Sequence, residues 1–289
     1  MNKIGIYYAY WTHDWDADFE LLVRKVSKLG FDVLEVNAGI VINMTSDERK
    51  RLRDVAVEED IDLSYCIGLT KEYDVASEDK SVRSNGIRFL KDMITTIRDI
   101  GGSKLSGIIY GSWLSTLPEG ITDKSPYLER SVASIKETAK TAEECGVLLN
   151  VEVVNRFEQF LLNTCEEALD YVEKVGSPNV KILLDTFHMN IEEDTIEGAI
   201  RRAGDKLGHL HIGENNRNLP GCGHIPWEEI VEALKNIGYS GYIVMEPFLM
   251  PGGEVGRDIK VFRDMSIGLD LDLEAKKALE FVRAKLYAD

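Results

Sequence analysis

Apolar positions recur along this chain in two alternating patterns. Phe19, Leu22, Val26 and Leu29 step by three and four, as do Leu128, Val132, Ile135, Ala139 and Ala142. Such spacing gives a helix one apolar stripe and one charged face. Between these stretches stand short apolar runs of the kind that form buried strands. A repeated phrase, an apolar residue followed by Gly, precedes many of them: Leu29-Gly30 before DVLEV, Ile100-Gly101 before KLSGIIY, Cys145-Gly146 before LLNVEVV, Val175-Gly176 before VKILLD and Ile237-Gly238 before YIVME. Gly is the expected helix stop, because it takes the left-handed conformation without steric cost.

Counting the units predicts strands near residues 3–9, 32–36, 62–67, 104–110, 148–153, 179–185, 207–212 and 242–246, and a last helix at about Leu273–Leu286. Eight strand–helix repeats predict an α/β fold, a (β/α)8 TIM barrel in one domain spanning residues 1–289. An open doubly wound sheet is the competing arrangement. No GxGxxG follows the first strand, however, and the first loop is instead aromatic, with Tyr7, Tyr8, Tyr10, Trp11 and Trp15. No linker, low-complexity tract or break in composition interrupts the repeats. Pro and Gly cluster at 220–223 and 251–256, in loops after late strands, on the face where barrel enzymes carry their sites.

Composition narrows the partners. The 289 residues, 44% of them hydrophobic, suffice for a barrel-sized core. Thirty-four Lys and Arg stand against 50 Asp and Glu, a formal charge of -16, with no basic run. That disfavours nucleic acid and anionic membranes, which are bound through clustered cations, and leaves a small neutral substrate open. Most of these charges are expected to serve solubility. Cys66, Cys145, Cys165 and Cys222 are widely and irregularly spaced, without a CxxC pair, so reduced thiols are expected. The start, IGIYYAYW after Lys3, does not form a signal-peptide core, and no run approaches the ~18 apolar residues of a membrane span. A soluble cytoplasmic protein is the expectation.

The chemistry lies at the ends of the last four strands. NVEVVNRFE breaks its apolar run at Glu152, KILLD ends on Asp185, LGHLHI reaches His211 and YIVME ends on Glu246. A buried strand should not end on an unpaired charge, whose desolvation costs several kcal/mol or more. Strand alternation turns Asn150 and Glu152 to one face, and likewise Leu183 with Asp185, His209 with His211, and Val244 with Glu246. These faces point into the barrel. Three converging carboxylates would repel and raise one another's pKa values, a conflict that a divalent cation resolves. Three oxygen donors and one imidazole suit Mn²⁺ best, with Co²⁺ or Mg²⁺ as substitutes. A lone Asp at a strand end is usually a cap or an ion-pair partner; four polar ends in consecutive repeats favour metal binding.

The remaining histidines read differently. His209, one layer deeper than His211, is expected to be a hydrogen-bonded core residue. His13 and His224 fall in loops, His224 near enough to the active face to remain a weak candidate. His188, three residues after Asp185, is placed beside the metal. Just beyond the ligands stand Glu158, His188 and Arg217, whose common displacement toward the loops suits contacts to a bound polar molecule. Loop ion pairs, such as Arg156 with Glu158, are the bland alternative. Tyr7 and Trp15, with Cys66 at the end of the third strand and Trp113 after the fourth, would wall the other half of the pocket. Trp11 and Tyr10 fit core packing about equally well. A metal pole, a hydrogen-bonding ring and an aromatic wall suit a small polyol or sugar.

Taken together, GIYYAYW, VEVVNRFE, LLDTFHMNIEE, GHLHIGENNR, GHIPWEEI and IVMEPF resemble the D-tagatose 3-epimerase/D-psicose (D-allulose) 3-epimerase family, within the xylose-isomerase-like barrels. The similarity runs from the first strand to the last helix. It implies a Mn²⁺- or Co²⁺-dependent epimerase of free ketohexoses, usually a homodimer or homotetramer. It also implies that Glu152, Asp185, His211 and Glu246 hold the metal and that Glu158, His188 and Arg217 bind O1 and O2. Tyr7, Cys66 and Ile108 fall at wall positions that vary in the family. Removal of the C3 hydrogen beside a C2 ketone leaves an enediolate, and epimerisation then needs a base on each face of C3; Glu152 and Glu246 are placed to be that pair. The nearest rivals are an isomerase of hydroxypyruvate or a sugar phosphate, for which Gly252, Gly253, Arg257 and Lys260 form a loose phosphate candidate, and a polyol lyase. A DNA-repair nuclease would want a basic groove, and a sugar sensor would not need two opposed carboxylates.

Overall fold

A computed structural model of the chain describes residues 2–287; Met1, Ala288 and Asp289 lie outside the described residues. Eight parallel strands close on themselves in sequence order: β1 (Ile4–Tyr7), β2 (Val33–Asn37), β3 (Asp62–Leu69), β4 (Lys104–Ser112), β5 (Leu148–Glu152), β6 (Val180–Asp185), β7 (Leu207–Ile212) and β8 (Ile243–Met245). β8 pairs with β1, from Ile4 opposite Ile243 to Ile6 opposite Met245, so the sheet has no free edge. Each predicted strand lies within a few residues of its expected span.

The helical stripes explain the outer layer. In the helix Phe19–Leu29 the residues Phe19, Leu22, Val23 and Val26 are buried, and the Asp18 side chain caps its start by accepting from the Leu21 N–H at 3.0 Å. In Ser125–Cys145 the buried set includes Val132, Ile135, Ala139 and Ala142. All five glycines expected to stop a helix have positive φ, from 65° at Gly238 to 92° at Gly30. At Gly101, Gly146 and Gly238 an added Cβ would meet nothing, so backbone conformation rather than space selects Gly there. The last helix is Leu271–Leu286, one half-turn longer at its start than expected, with Asp270 as its cap. Tyr10 and Trp11 serve this helix: the Tyr10 hydroxyl donates to the Leu271 carbonyl at 3.0 Å and Trp11 Nε1 to Asp272 at 2.8 Å. Both are therefore packing residues.

Inside, the barrel departs from the layers of branched apolar side chains usual in this fold. Glu35, Ser64, Ser106, Asn150 and His209 are all fully buried. Glu35 stands opposite Ser64 and Ser106 opposite Asn150 in the strand register. Side-chain bonds follow that register, Ser64 Oγ to Glu35 at 2.6 Å and Asn150 Nδ2 to Ser106 at 3.0 Å. This polar floor lies beneath the ends of the last four strands.

Candidate active site

Each polar strand end is placed by pairing. Leu183 stands opposite Glu152, His211 opposite Asp185 and Val244 opposite His211. Glu246 follows β8 directly and remains tied to β7 through its N–H, which donates to the Ile212 carbonyl at 2.9 Å. One ligand atom from each of Glu152, Asp185, His211 and Glu246 can be chosen so that all lie within 4.8 Å of one another, and all four residues are buried.

The donor set passes a direct test for a cation. His211 Nε2 is 2.6 Å from Glu35 Oε1 and must donate to it, since a carboxylate has only lone pairs. His211 Nδ1 has no hydrogen-bond partner, and lies 3.6 Å from a Glu152 oxygen and 3.6 Å from a Glu246 oxygen. A buried ring nitrogen set between two carboxylates is placed to bind a divalent ion of the kind that takes oxygen and imidazole. Burial would lower the His211 pKa, but without an ion Glu35 and Glu246 outweigh it and hold the group well above its ordinary value. A carboxylate on the far ring nitrogen is the usual support of a metal-binding histidine. Glu35's second oxygen also lies 2.9 Å from His209 Nε2, as a close ion-pair contact without hydrogen-bond geometry. His209 is the buried core histidine expected, but neither of its ring nitrogens makes the hydrogen bond expected with it.

Charge in the site is balanced at short range. Arg217 Nη1 donates to Asp185 Oδ2 at 2.7 Å and to Glu246 Oε2 at 2.8 Å, and its guanidinium lies over the Phe187 ring at 4.2 Å. Burial alone would raise the Asp185 pKa, but Arg217 and His188 outweigh it and hold the group at about 2. Burial does raise Glu152, with Glu246 adding to the effect against the pull of His211. Burial likewise opposes ionisation of Glu158, yet His188 and Arg217 keep its pKa below the ordinary value. Burial drives the Cys66 thiol well up, so it stays protonated.

Arg217 reaches the site through a left-handed backbone, φ 63°. Its N–H donates to the Glu214 carbonyl at 3.0 Å and its carbonyl accepts from the Phe248 N–H at 2.9 Å. The buried Glu214 carboxylate fixes this loop by accepting from Gly221 N–H, Ile225 N–H and Trp227 Nε1 at 2.7, 3.1 and 2.9 Å. Glu158 accepts from Trp113 Nε1 at 2.9 Å and Asn155 Nδ2 at 3.1 Å. It does not pair with Arg156, which turns away to Glu192 at 2.7 Å.

Of these groups, Glu152, Glu246, Glu158, His188 and Arg217 open on one cavity of about 650 Å³. Glu152 and Glu246 reach its floor, and Glu158, His188 and Arg217 line it together with Tyr7, Trp15, Cys66, Ile108 and Trp113, the last bonded directly to Glu158. Trp15 is held over it by Nε1 donating to Asp258 at 2.9 Å and meets Trp113 edge-on at 6.3 Å. His224 is an exposed loop residue and does not line this cavity.

Comparison with known proteins agrees with this geometry. Residues 23–283 match the family described as xylose isomerase-like TIM barrel. A D-psicose 3-epimerase of Enterocloster bolteae is 47% identical, over 97% of this chain and 95% of that protein. The chain belongs to the D-psicose 3-epimerase family of xylose isomerase-like TIM barrels. Another family member, the D-psicose 3-epimerase of Agrobacterium fabrum, is 43% identical over 97% of this chain and 98% of its own. The crystal structure of D-psicose 3-epimerase with D-tagatose from Clostridium cellulolyticum H10 superposes with a TM-score of 0.96 at 47% identity, covering 98% of this chain and 99% of that one.

Several residues of this family site escaped the sequence reading. Glu35 lies mid-strand in DVLEV, where the argument made for Glu152, a carboxylate in an apolar run, would have found it. Asn37, Phe248, Asp258 and Ile259 also line the cavity. Asp258 and Ile259 come from the short helix Gly253–Asp258 and the residue after it, and no local pattern announces them.

Proposed function

We propose that this chain is a divalent-metal-dependent ketose 3-epimerase of free ketohexoses, interconverting D-fructose with D-psicose and D-tagatose with D-sorbose. The observation that carries the reading is the placement of Glu152 and Glu246, each 3.6 Å from the unpartnered His211 Nδ1, at the floor of the cavity. Glu152, Asp185, His211 and Glu246 would hold the ion, with Mn²⁺ preferred on the donor set and Co²⁺ or Mg²⁺ as substitutes. When bound, the ion supplies a Lewis acid for the ketone and for the charge of the enediolate.

The protein supplies the proton steps. One of Glu152 and Glu246, as carboxylate, takes the proton from C3; the other, as carboxylic acid, returns a proton to the opposite face. The two then stand with exchanged protonation states, and solvent exchange resets them. The burial that raises the Glu152 pKa brings that carboxyl nearer to working pH, which suits a group that must both take and give a proton. Arg217, His188 and Glu158 hold the O1/O2 end, where two cationic or N–H donors and one acceptor fix the pose. Tyr7, Trp15, Cys66 and Trp113 enclose the remainder and exclude water. Arg257, one of the loose phosphate candidates, is turned to Asp258 at 2.9 Å, which favours a free sugar over a phosphorylated one.

On this reading the whole chain works as one barrel domain, cytoplasmic and assembled as a homodimer or homotetramer. Among the described residues no helix is long and apolar enough to cross a membrane. The test is a panel of free and phosphorylated ketoses in D2O after chelator treatment and Mn²⁺ add-back. Deuterium should enter C3 of both epimers; turnover without label at C3 would overturn the proton-abstraction mechanism.

A further inference from the structure

The cavity is larger than a free ketose needs. Its volume of about 650 Å³ falls in the range of roughly 300–1,000 Å³ that takes drug-sized ligands, whereas a ketohexose is one small polyol. The lining also changes character with position. Glu152, Glu246, His188, Tyr7 and Cys66 are buried, but Ile40, Ile67, Tyr73 and Phe89 are half-buried, and Lys71 and Glu72 are exposed. The metal-binding cluster stands at the ends of β5 to β8, while these outer residues belong to or follow β2 and β3, across the closed barrel. The two parts are continuous. Asn37 stands opposite Cys66 in the strand register and leads into the helix Ala38–Asn43, which carries Ile40.

The outer part is organised around an aromatic platform. The Tyr73 and Phe89 rings stack with centroids 4.1 Å apart and planes 14° from parallel. Two features of the chain hold them there. Tyr73 ends the tight turn Lys71–Tyr73, and its N–H donates to the Thr70 carbonyl at 3.0 Å. Gly86, one turn before Phe89 on the helix Lys80–Asp99, admits the Tyr73 backbone, because an added Cβ there would collide with the Tyr73 carbonyl oxygen. Aromatic faces carry partial negative charge and suit the polarised C–H groups of a pyranose ring. An anionic tail is disfavoured, since Lys71 is offset by Glu72 and Asp258 in the lining.

We propose that this outer part is a subsite for a neutral hexopyranosyl unit linked to O6 of the ketose, so that the enzyme epimerises 6-O-glycosylated ketoses as well as free ones. The inference rests on the epimerase reading, which sets O1 to O3 at the metal end. In the open-chain ketose O6 is then the hydroxyl farthest from that end, and a glycosyl link there leaves C2 free to open to the ketone and C3 free to exchange its proton. O1 offers no such room, because Glu158, His188 and Arg217 occupy its end of the cavity.

The experiment compares D-fructose with 6-O- and 1-O-α-D-glucopyranosyl-D-fructose, each incubated with Mn²⁺-loaded enzyme in D2O, and follows deuterium at C3 of the ketose unit. The 6-O-linked sugar should be labelled with a KM about threefold below that of D-fructose, and the 1-O-linked sugar should stay unlabelled. Label in D-fructose but not in the 6-O-linked sugar, or a KM no lower than that of D-fructose, overturns the subsite and leaves the proposed function standing. Equal labelling of the two disaccharides overturns it as well, by removing the assigned orientation. Label in none of the three sugars refutes the proposed function and the subsite with it. Tyr73→Ala takes one ring from the platform at a half-buried turn, and should lower kcat/KM for the 6-O-linked sugar relative to that for D-fructose by about fivefold, through KM. An unmoved ratio would sink the idea, and the wild-type comparison decides it should that variant not fold.

Discussion

Replacing Trp113 by Phe tests how much of the pocket's work is done through Glu158. The indole Nε1 donates to Glu158 Oε2 at 2.9 Å, while the ring packs against Gly68, where an added Cβ would come within 2.8 Å of the Trp113 Cβ. Phe keeps the wall and removes the donor. A hydrogen bond to a charged acceptor is worth about 1.5–3 kcal/mol. The Glu158 side chain retains 19% exposure and a second donor, Asn155 Nδ2. Water replaces part of the loss, so the low end, about 1.5 kcal/mol, applies, or roughly tenfold in kcat/KM. Initial rates would be measured on D-fructose and on D-psicose with saturating Mn²⁺. Because the mutation cannot change the equilibrium constant, kcat/KM must fall by the same factor in both directions. A change smaller than about twofold would refute the claim that Glu158 needs this donor to hold the sugar.

Other consequences follow from the same geometry. Glu152→Gln and Glu246→Gln should each abolish C3 deuterium exchange while sugar binding, followed by calorimetry, largely survives; exchange at near wild-type rate in either variant contradicts the two-base scheme. Glu35→Gln weakens the support of His211, and Co²⁺ affinity from chelator competition should fall by about 10–100-fold; an unchanged affinity means the carboxylate serves only the barrel floor. Chelator treatment should lower the unfolding temperature and Mn²⁺ restore it, since an ion at 100 times its Kd adds about 2.7 kcal/mol; a melting curve indifferent to Mn²⁺ argues against the site. On acidification, Asp185 gives a signed expectation. Its folded pKa of about 2 lies below the ordinary value of 3.8, so its contribution to stability is present above the higher value and is lost as pH falls through the lower. Asp185→Asn should flatten that acid limb in pH-dependent unfolding.

The repeats and the strand ends were legible because both obey short periods. Helix stripes, Gly stops and two-residue alternation are local, and they place Glu152, Asp185, His211 and Glu246 on inward faces without any knowledge of the barrel's closure. Closure itself brings Glu35 of β2 against His211 of β7, 176 positions apart, which no local pattern states. The aromatic first loop was ambiguous for a related reason. Trp15 and Tyr7 line the cavity, whereas Tyr10 and Trp11, in the same stretch, face the last helix. Their separation depends on the tight turn Tyr8–Trp11 directly after β1, which redirects the chain within four residues. Arg156 went to Glu192 rather than Glu158 because the helix Thr186–Glu192 runs past it.

Asp185 combines two duties that fix its side-chain length twice. One oxygen accepts from the Phe187 N–H at 2.7 Å and starts the helix that carries His188; the other faces Arg217 and belongs to the four-residue cluster. An added methylene would satisfy one duty at the expense of the other: Glu is a poor cap, and a capped Glu would be drawn out of the cluster. The strand end therefore acts as a gauge that sets how far His188 stands from Glu152. At this position the choice between two chemically equivalent carboxylates is made by distance alone, and a drift of the helix is transmitted directly to the floor of the pocket.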